Sequence, residues 1–65
     1  MKKEYEVIGK DNNGDWDTIK YPIKTLKEAI KIAKKQDKEK YQIIDINLII
    51  NDDLTETYDE NGKIR

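Results

Sequence analysis

A single stretch of helical periodicity, "TLKEAIKIAKK" at residues 25–35, lies between two longer segments that alternate with a period of two, and this restricts the chain more than any other feature. Leu26, Ala29, Ile30 and Ala33 recur at i, i+3, i+4 and i+7, so one stripe of the helix is apolar. Thr25 stands at the N-cap, with Glu28 three residues later in capping-box spacing. The helix is expected within Ile23 to Lys40. One helix can cover only one face of a sheet built from the flanking segments, which leaves the other face open.

Before the helix, Tyr5, Val7 and Gly9 alternate with Glu6, Ile8 and Lys10; after "NNG", Trp16, Thr18 and Lys20 alternate with Asp17, Ile19 and Tyr21. This predicts a hairpin. A three-residue loop, with Asn12 and Asn13 in a type I turn and Gly14 left-handed, pairs Val7 with Ile19 and Tyr5 with Tyr21. On the opposite face it pairs Glu6 with Lys20, Ile8 with Thr18 and Lys10 with Trp16. A two-residue Asn13-Gly14 turn would set Ile8 against Ile19, but also Tyr21 against Glu6 and Val7 against Lys20. The first register separates apolar from polar more cleanly and is preferred; it places Trp16 opposite Val7 and Ile19, on the outside.

Pro22 is expected to end the second strand. Beyond the helix, "YQIIDINLII" is apolar on both of its faces and reads as a central strand, with Gln42, Ile44, Ile46, Leu48 and Ile50 on one side. "NDD" turns the chain, "LTETY" forms a fourth strand, and "DENGK" makes a last turn before a stub at Ile64. The expected fold is α+β with the order ββαββ: one helix packed on a small antiparallel sheet, residues 1–65 forming a single domain. A chain of 65 residues buries only roughly 60% of its unfolded surface, so a deep enclosed site is not expected.

Composition narrows the chemistry. Cys, His and Ser are all absent, so no Ser-His-Asp or Cys-His arrangement can be drawn and thiolate or imidazole metal sites are excluded. Paired carboxylates occur at Asp15 with Asp17 and at Asp52 with Asp53, but aspartates beside turns ordinarily serve the backbone. "DNNGDWDTIKYP" departs from a calcium loop, because Gly14 is its fourth residue and Lys20 stands where the Glu should be. The expectation is a non-enzymatic protein with no metal and no cofactor.

Charged residues make up 42% of the chain, yet the net charge is −1. The local balances are −2 over residues 1–19, +5 over 20–40 and −4 over 41–65. On the helix, Lys27, Lys31, Lys34, Lys35 and Lys38 gather beside the apolar stripe. A lysine row can neutralise phosphates without reading sequence, so Lys27, Lys31, Lys34 and Lys38 form a candidate nucleic-acid contact. Specific readout would call for arginine or stacked aromatics, and the chain has one Arg; a solvated helix face is the preferred reading. Asp52, Asp53, Glu56, Asp59 and Glu60 could mimic phosphates, or simply complement the lysines within a molecule or between two copies.

The tryptophan remains. If the hairpin face of Ile8, Lys10, Trp16 and Thr18 is exposed, it has the composition of an interface anchor. The competing reading folds Trp16 over the sheet edge or covers it with Lys10 through a cation–π contact.

At "GDWDTI", "TLKEAIKIAKK" and "YDENGKIR" the chain resembles short uncharacterised accessory proteins of phages and prophages of low-GC Gram-positive bacteria. That resemblance covers most of the chain through generic turn and cap motifs and carries over no functional residue. It implies a class in which some members resemble anti-defence inhibitors that bind one host protein. The expected function is therefore a small protein-binding module, an inhibitor that sterically blocks a host or defence protein through Trp16, Ile8, Lys10 and Thr18. The alternative is a nucleic-acid-binding module using the helix lysines. An Ile-rich strand and a small core make a homodimer an open expectation. No apolar run reaches the roughly 18 residues of a membrane span, and "MKKEYEV" lacks a signal-peptide core, so no membrane partner and a cytoplasmic location are expected.

Overall fold

A computed structural model describes residues 2–65. Its elements follow the order β1 (Lys3–Asp11), β2 (Trp16–Ile23), α1 (Leu26–Lys34), β3 (Tyr41–Ile50) and β4 (Asp53–Asp59). The strands form one antiparallel sheet in the spatial order β2-β1-β3-β4, so the fold is α+β with ββαββ connectivity. Both hairpins are local in sequence. They join where β1 lies against β3, and that makes "YQIIDINLII" a central strand, as its apolar character predicts.

Turn chemistry accounts for the hairpins. Gly14 is left-handed at φ 86°, the Gly14 amide donates to the Asp11 carbonyl, and the Asp11 amide donates to the Asp15 carbonyl at 2.9 Å. This is the three-residue loop. Between β3 and β4, Asn51 and Asp52 have φ of 51° and 70°, so both central residues are left-handed, as a type I′ turn requires. The chain end repeats the first turn: Gly62 is at φ 84°, its amide donates to the Asp59 carbonyl, and the Asp59 amide donates to the Lys63 carbonyl. Beyond it Ile64 bridges back to Tyr58.

The expected hairpin register holds only beside the turn. Lys10 faces Trp16 and Ile8 faces Thr18, but Val7 faces Lys20 and Tyr5 faces Ile23. The expected pairs Val7–Ile19, Tyr5–Tyr21 and Glu6–Lys20 are therefore replaced, because β2 carries one extra residue at Ile19 and a second around Tyr21 and Pro22. Nor does Pro22 end the strand. It sits within β2 behind a cis Tyr21–Pro22 bond, where an edge strand tolerates the missing N–H. The second bulge delivers Ile23 to the core opposite Tyr5 and leaves Tyr21 outside.

The helix is shorter than its sequence segment. Thr25 is extended and its hydroxyl accepts from the Glu28 amide at 3.2 Å, so the N-cap is as expected. At the other end the amides of Lys35 and Gln36 turn back to Ile32 and Ala33. The Asp37 carboxylate then accepts from the Glu39 amide, a local turn that competes with helix continuation. Residues 36–40 thus form the link to β3.

The helix packs on one face of the sheet. Ala29 and Ala33 are fully buried and, lacking long side chains, let α1 lie close over Val7 and Ile46, which are also fully buried and face each other across β1 and β3. Tyr5, Ile23, Tyr41, Ile44 and Leu48 complete the buried core, with Leu26, Ile30, Ile32 and Tyr58 packed at its margin. Tyr41 departs from simple alternation. A bulge at Gln42 rotates it onto the helix face, where its ring covers Gly9 so closely that a Cβ on Gly9 would lie 2.5 Å from it.

Candidate functional face

Among the described residues no helix covers the opposite face of the sheet. The strands pair there in rows, and side chains opposite one another share a face. Lys10 connects Trp16 on β2 with Ile43 on β3, and Ile8 connects Thr18 with Asp45. The four residues expected to form a contact surface, Trp16, Ile8, Lys10 and Thr18, therefore do lie together. Trp16 is 48% exposed, and Ile43 beside Lys10 is 37% exposed. Among the described residues the cation–π contacts are Lys3 over Tyr5 and Lys40 over Tyr41, so Lys10 does not cover the indole.

At the other end of the face Glu4 faces Ile49 and Ile49 faces Leu54, which is 63% exposed. Tyr21 reaches over Glu4 and donates its hydroxyl to the Glu4 carboxylate at 3.0 Å. That bond, with burial and the nearby charges of Glu4, Asp52 and Glu6, raises the Tyr21 pKa above the usual phenol value.

Between the two apolar ends runs a polar chain that alternation patterns do not reveal. Thr18 Oγ1 donates to Glu6 Oε2 at 3.1 Å, Asn47 Nδ2 donates to Glu6 Oε1 at 3.1 Å, and Thr57 Oγ1 donates to Asn47 Oδ1 at 2.8 Å. One residue from each strand takes part. Its only sequence signal is a polar residue at the middle of each strand, which solvation explains equally well. Nearby, the Arg65 guanidinium makes two hydrogen bonds to Asp45 Oδ1, at 2.6 and 2.9 Å.

The helix lysines are placed differently. Lys27, Lys31 and Lys34 lie exposed on α1, and Lys35 is its C-cap. Lys38 lies past the helix end and is paired with Glu60, so it does not extend the row. Among the described residues the ion pairs are Lys2–Glu4, Lys38–Glu60 and Arg65–Asp45, leaving the three helix lysines without a carboxylate partner.

The aspartates that open the two glycine turns, Asp11 and Asp59, serve the backbone. Asp11 Oδ1 accepts from the amides of Asn13 and Asp15, and Asp59 Oδ1 accepts from those of Asn61 and Lys63. The bond from Lys63 holds the Asp59 pKa below its ordinary value; burial opposes this, while the Asn61 amide and the charges of Arg65 and Lys63 reinforce it. β4 pairs with β3 only from Asp45 onward, so Tyr41 to Ile44 keep a free edge toward that side. That edge fronts a cleft of about 240 Å³ lined by Lys38, Ile43, Glu60, Asn61 and Arg65 among others. No helix among the described residues is long and apolar enough to cross a membrane.

These features define a class: a small α+β protein whose one helix covers a four-stranded sheet on one side and leaves a tryptophan-bearing face open. No family model matches the chain, no curated protein matches its sequence and no solved structure matches its fold.

Proposed function

We propose that the protein is a non-enzymatic binding module that acts by occupying the surface of a protein partner with its open sheet face. The observation that carries this reading is Trp16, half exposed and in register with Lys10 on a face that no element among the described residues covers. Aromatic anchors of this kind dominate the energetics of protein contacts, and their polar neighbours serve mainly to exclude water. The inhibitor role implied by the resemblance to phage accessory proteins fits this mode: blocking a host or defence protein needs a surface and no reaction centre.

A pull-down from a low-GC Gram-positive lysate, treated with nuclease, tests the reading by comparing the intact protein with Trp16→Ala and with Lys27 and Lys31 both changed to Glu. A protein retained by the intact chain and by the lysine variant, and lost with Trp16→Ala, is the expected result. Equal retention by Trp16→Ala would refute the assignment to this face. The second reading, phosphate contact through Lys27, Lys31 and Lys34, draws on their lack of carboxylate partners. It predicts a salt slope of roughly −3 in log affinity for duplex DNA, and salt-insensitive binding would exclude it.

A further inference from the structure

The chemistry of the open face narrows what can dock on it, and this step rests on the protein-binding reading above. Burying the face would remove water from every charge it carries, and an unpaired buried charge is costly. Of its carboxylates, Glu4 and Asp45 are already compensated, while Lys10 beside Trp16 has no carboxylate partner among the described residues. Glu4 has Lys2 at 3.6 Å and the Tyr21 hydroxyl, and Asp45 has the Arg65 guanidinium. Glu6 is different: it is half-buried at the middle of the face, both of its oxygens accept hydrogen bonds from neutral groups, Thr18 and Asn47, and among the described residues no cation lies within ion-pair distance.

Those two bonds keep the carboxylate oriented without neutralising it. Each oxygen still has a free lone pair, so the group is a held, uncompensated anion between two apolar contacts. The Trp16 and Ile43 end begins about 13 Å from Glu6, at the Lys10 row four residues along β1, and the Tyr21 and Leu54 end about 7 Å away, at the Glu4 row.

We infer that the open face receives a protein segment that places an arginine or lysine on Glu6, with apolar residues on either side seated against Trp16 and Ile43 and against Tyr21 and Leu54. Arginine fits best, since its fork can donate to both oxygens along the lone pairs that Thr18 and Asn47 leave free. A nucleic acid is the wrong occupant for this face, because its phosphates would meet Glu4 and Glu6. A second copy laid face to face about a two-fold axis at the Ile8 row would set Glu6 of one copy against Lys10 of the other, and sedimentation distinguishes that arrangement from a docked segment.

A displayed library of random peptides, selected on the intact protein, tests this without a known partner. Enriched peptides are expected to carry Arg or Lys at one position between apolar residues. Their affinity, read by Trp16 fluorescence for the intact protein and the Glu6 variants and by a label on the peptide for Trp16→Ala, should fall about tenfold or more on Glu6→Gln, and should fall on Trp16→Ala as well. Replacing the peptide cation by Glu should reverse the preference in favour of Glu6→Lys. Circular dichroism of each variant checks that the fold is kept, as Glu6 lies on the face away from the core.

Peptides that depend on Trp16 but bind Glu6→Gln as tightly as the intact protein would overturn the inference while leaving the protein-binding reading in place. Selection of neutral or acidic peptides, or of none, would overturn it too. So would a Trp16 response to oligothymidylate in place of peptide, or a dimer in sedimentation that dissociates on Trp16→Ala.

Discussion

Gly9→Ala should be among the most damaging single-atom additions to this protein. The added Cβ would lie 2.5, 2.8 and 2.9 Å from Cδ1, Cγ and Cε1 of Tyr41, whereas carbon atoms in contact settle at about 3.5–4.0 Å. The ring must therefore retreat by about 1 Å. It has little room to do so. Tyr41 is 8% exposed, its amide is tied to the Asp37 carbonyl, and the bulge at Gln42 fixes its direction. Overpacking of this kind costs about 1–3 kcal/mol, and relief of glycine's backbone entropy returns about 0.5–1 kcal/mol. A net loss of about 1–2 kcal/mol lowers Tm by about 4–16 °C in a domain of this size. Thermal unfolding followed by far-ultraviolet circular dichroism measures it. In a Tyr41→Ala background, itself destabilised, the same Gly9→Ala change should become neutral or stabilising, because the ring that it strikes is gone. An unchanged Tm for Gly9→Ala, or an equal loss in both backgrounds, would refute the argument that ring and glycine are a fitted pair.

Three further outcomes follow from the turns and the outer face. The folded-state pKa of Asp59 is depressed, so the stability it contributes is present above its ordinary value of 3.8 and is lost as pH falls through the lower folded value; urea midpoints of the protein and of Asp59→Asn should differ at neutral pH and converge in acid. Asp52→Gly should stabilise by about 0.5–1 kcal/mol in urea unfolding, since φ 70° strains any residue with a Cβ and glycine is preferred at the second position of a type I′ turn. Spectrophotometric titration should find the Tyr21 phenol ionising above the ordinary tyrosine value of 10.0, and Glu4→Gln should bring it back down. Because an acid whose folded pKa is raised favours folding while neutral, the Tyr21 contribution is present below its ordinary value and is lost as pH rises through the folded one.

What the sequence made legible is what short-range chemistry encodes. Thr25 and Glu28 located the helix start, the glycine after two asparagines set the loop length, and the two-sided apolarity of residues 41–50 put that strand at the centre. The misjudged parts are those where a strand gains a residue. A period of two cannot count bulges, so the pairs beyond Ile8–Thr18, the position of Tyr21 and the face of Tyr41 depart from an alternation that the chain interrupts. Of the open face, Trp16, Ile8, Lys10 and Thr18 could be grouped because they flank one turn. The Glu6–Asn47 contact could not, since it depends on β1 lying against β3, and no local pattern specifies that neighbour.

That adjacency also shapes how the chain must fold. Each hairpin can close on its own turn within a few residues, but the β1–β3 junction joins Lys3 to Ile50 and Asp11 to Tyr41, positions far apart along the chain. Loop-closure entropy is therefore concentrated in one event, and the rate of folding is governed by that event more than by either turn. Val7 and Ile46 meet there, both fully buried. The zipper that joins the hairpins is thus also the core, and a chain in which it has not closed holds two short ribbons with nothing between them to exclude water.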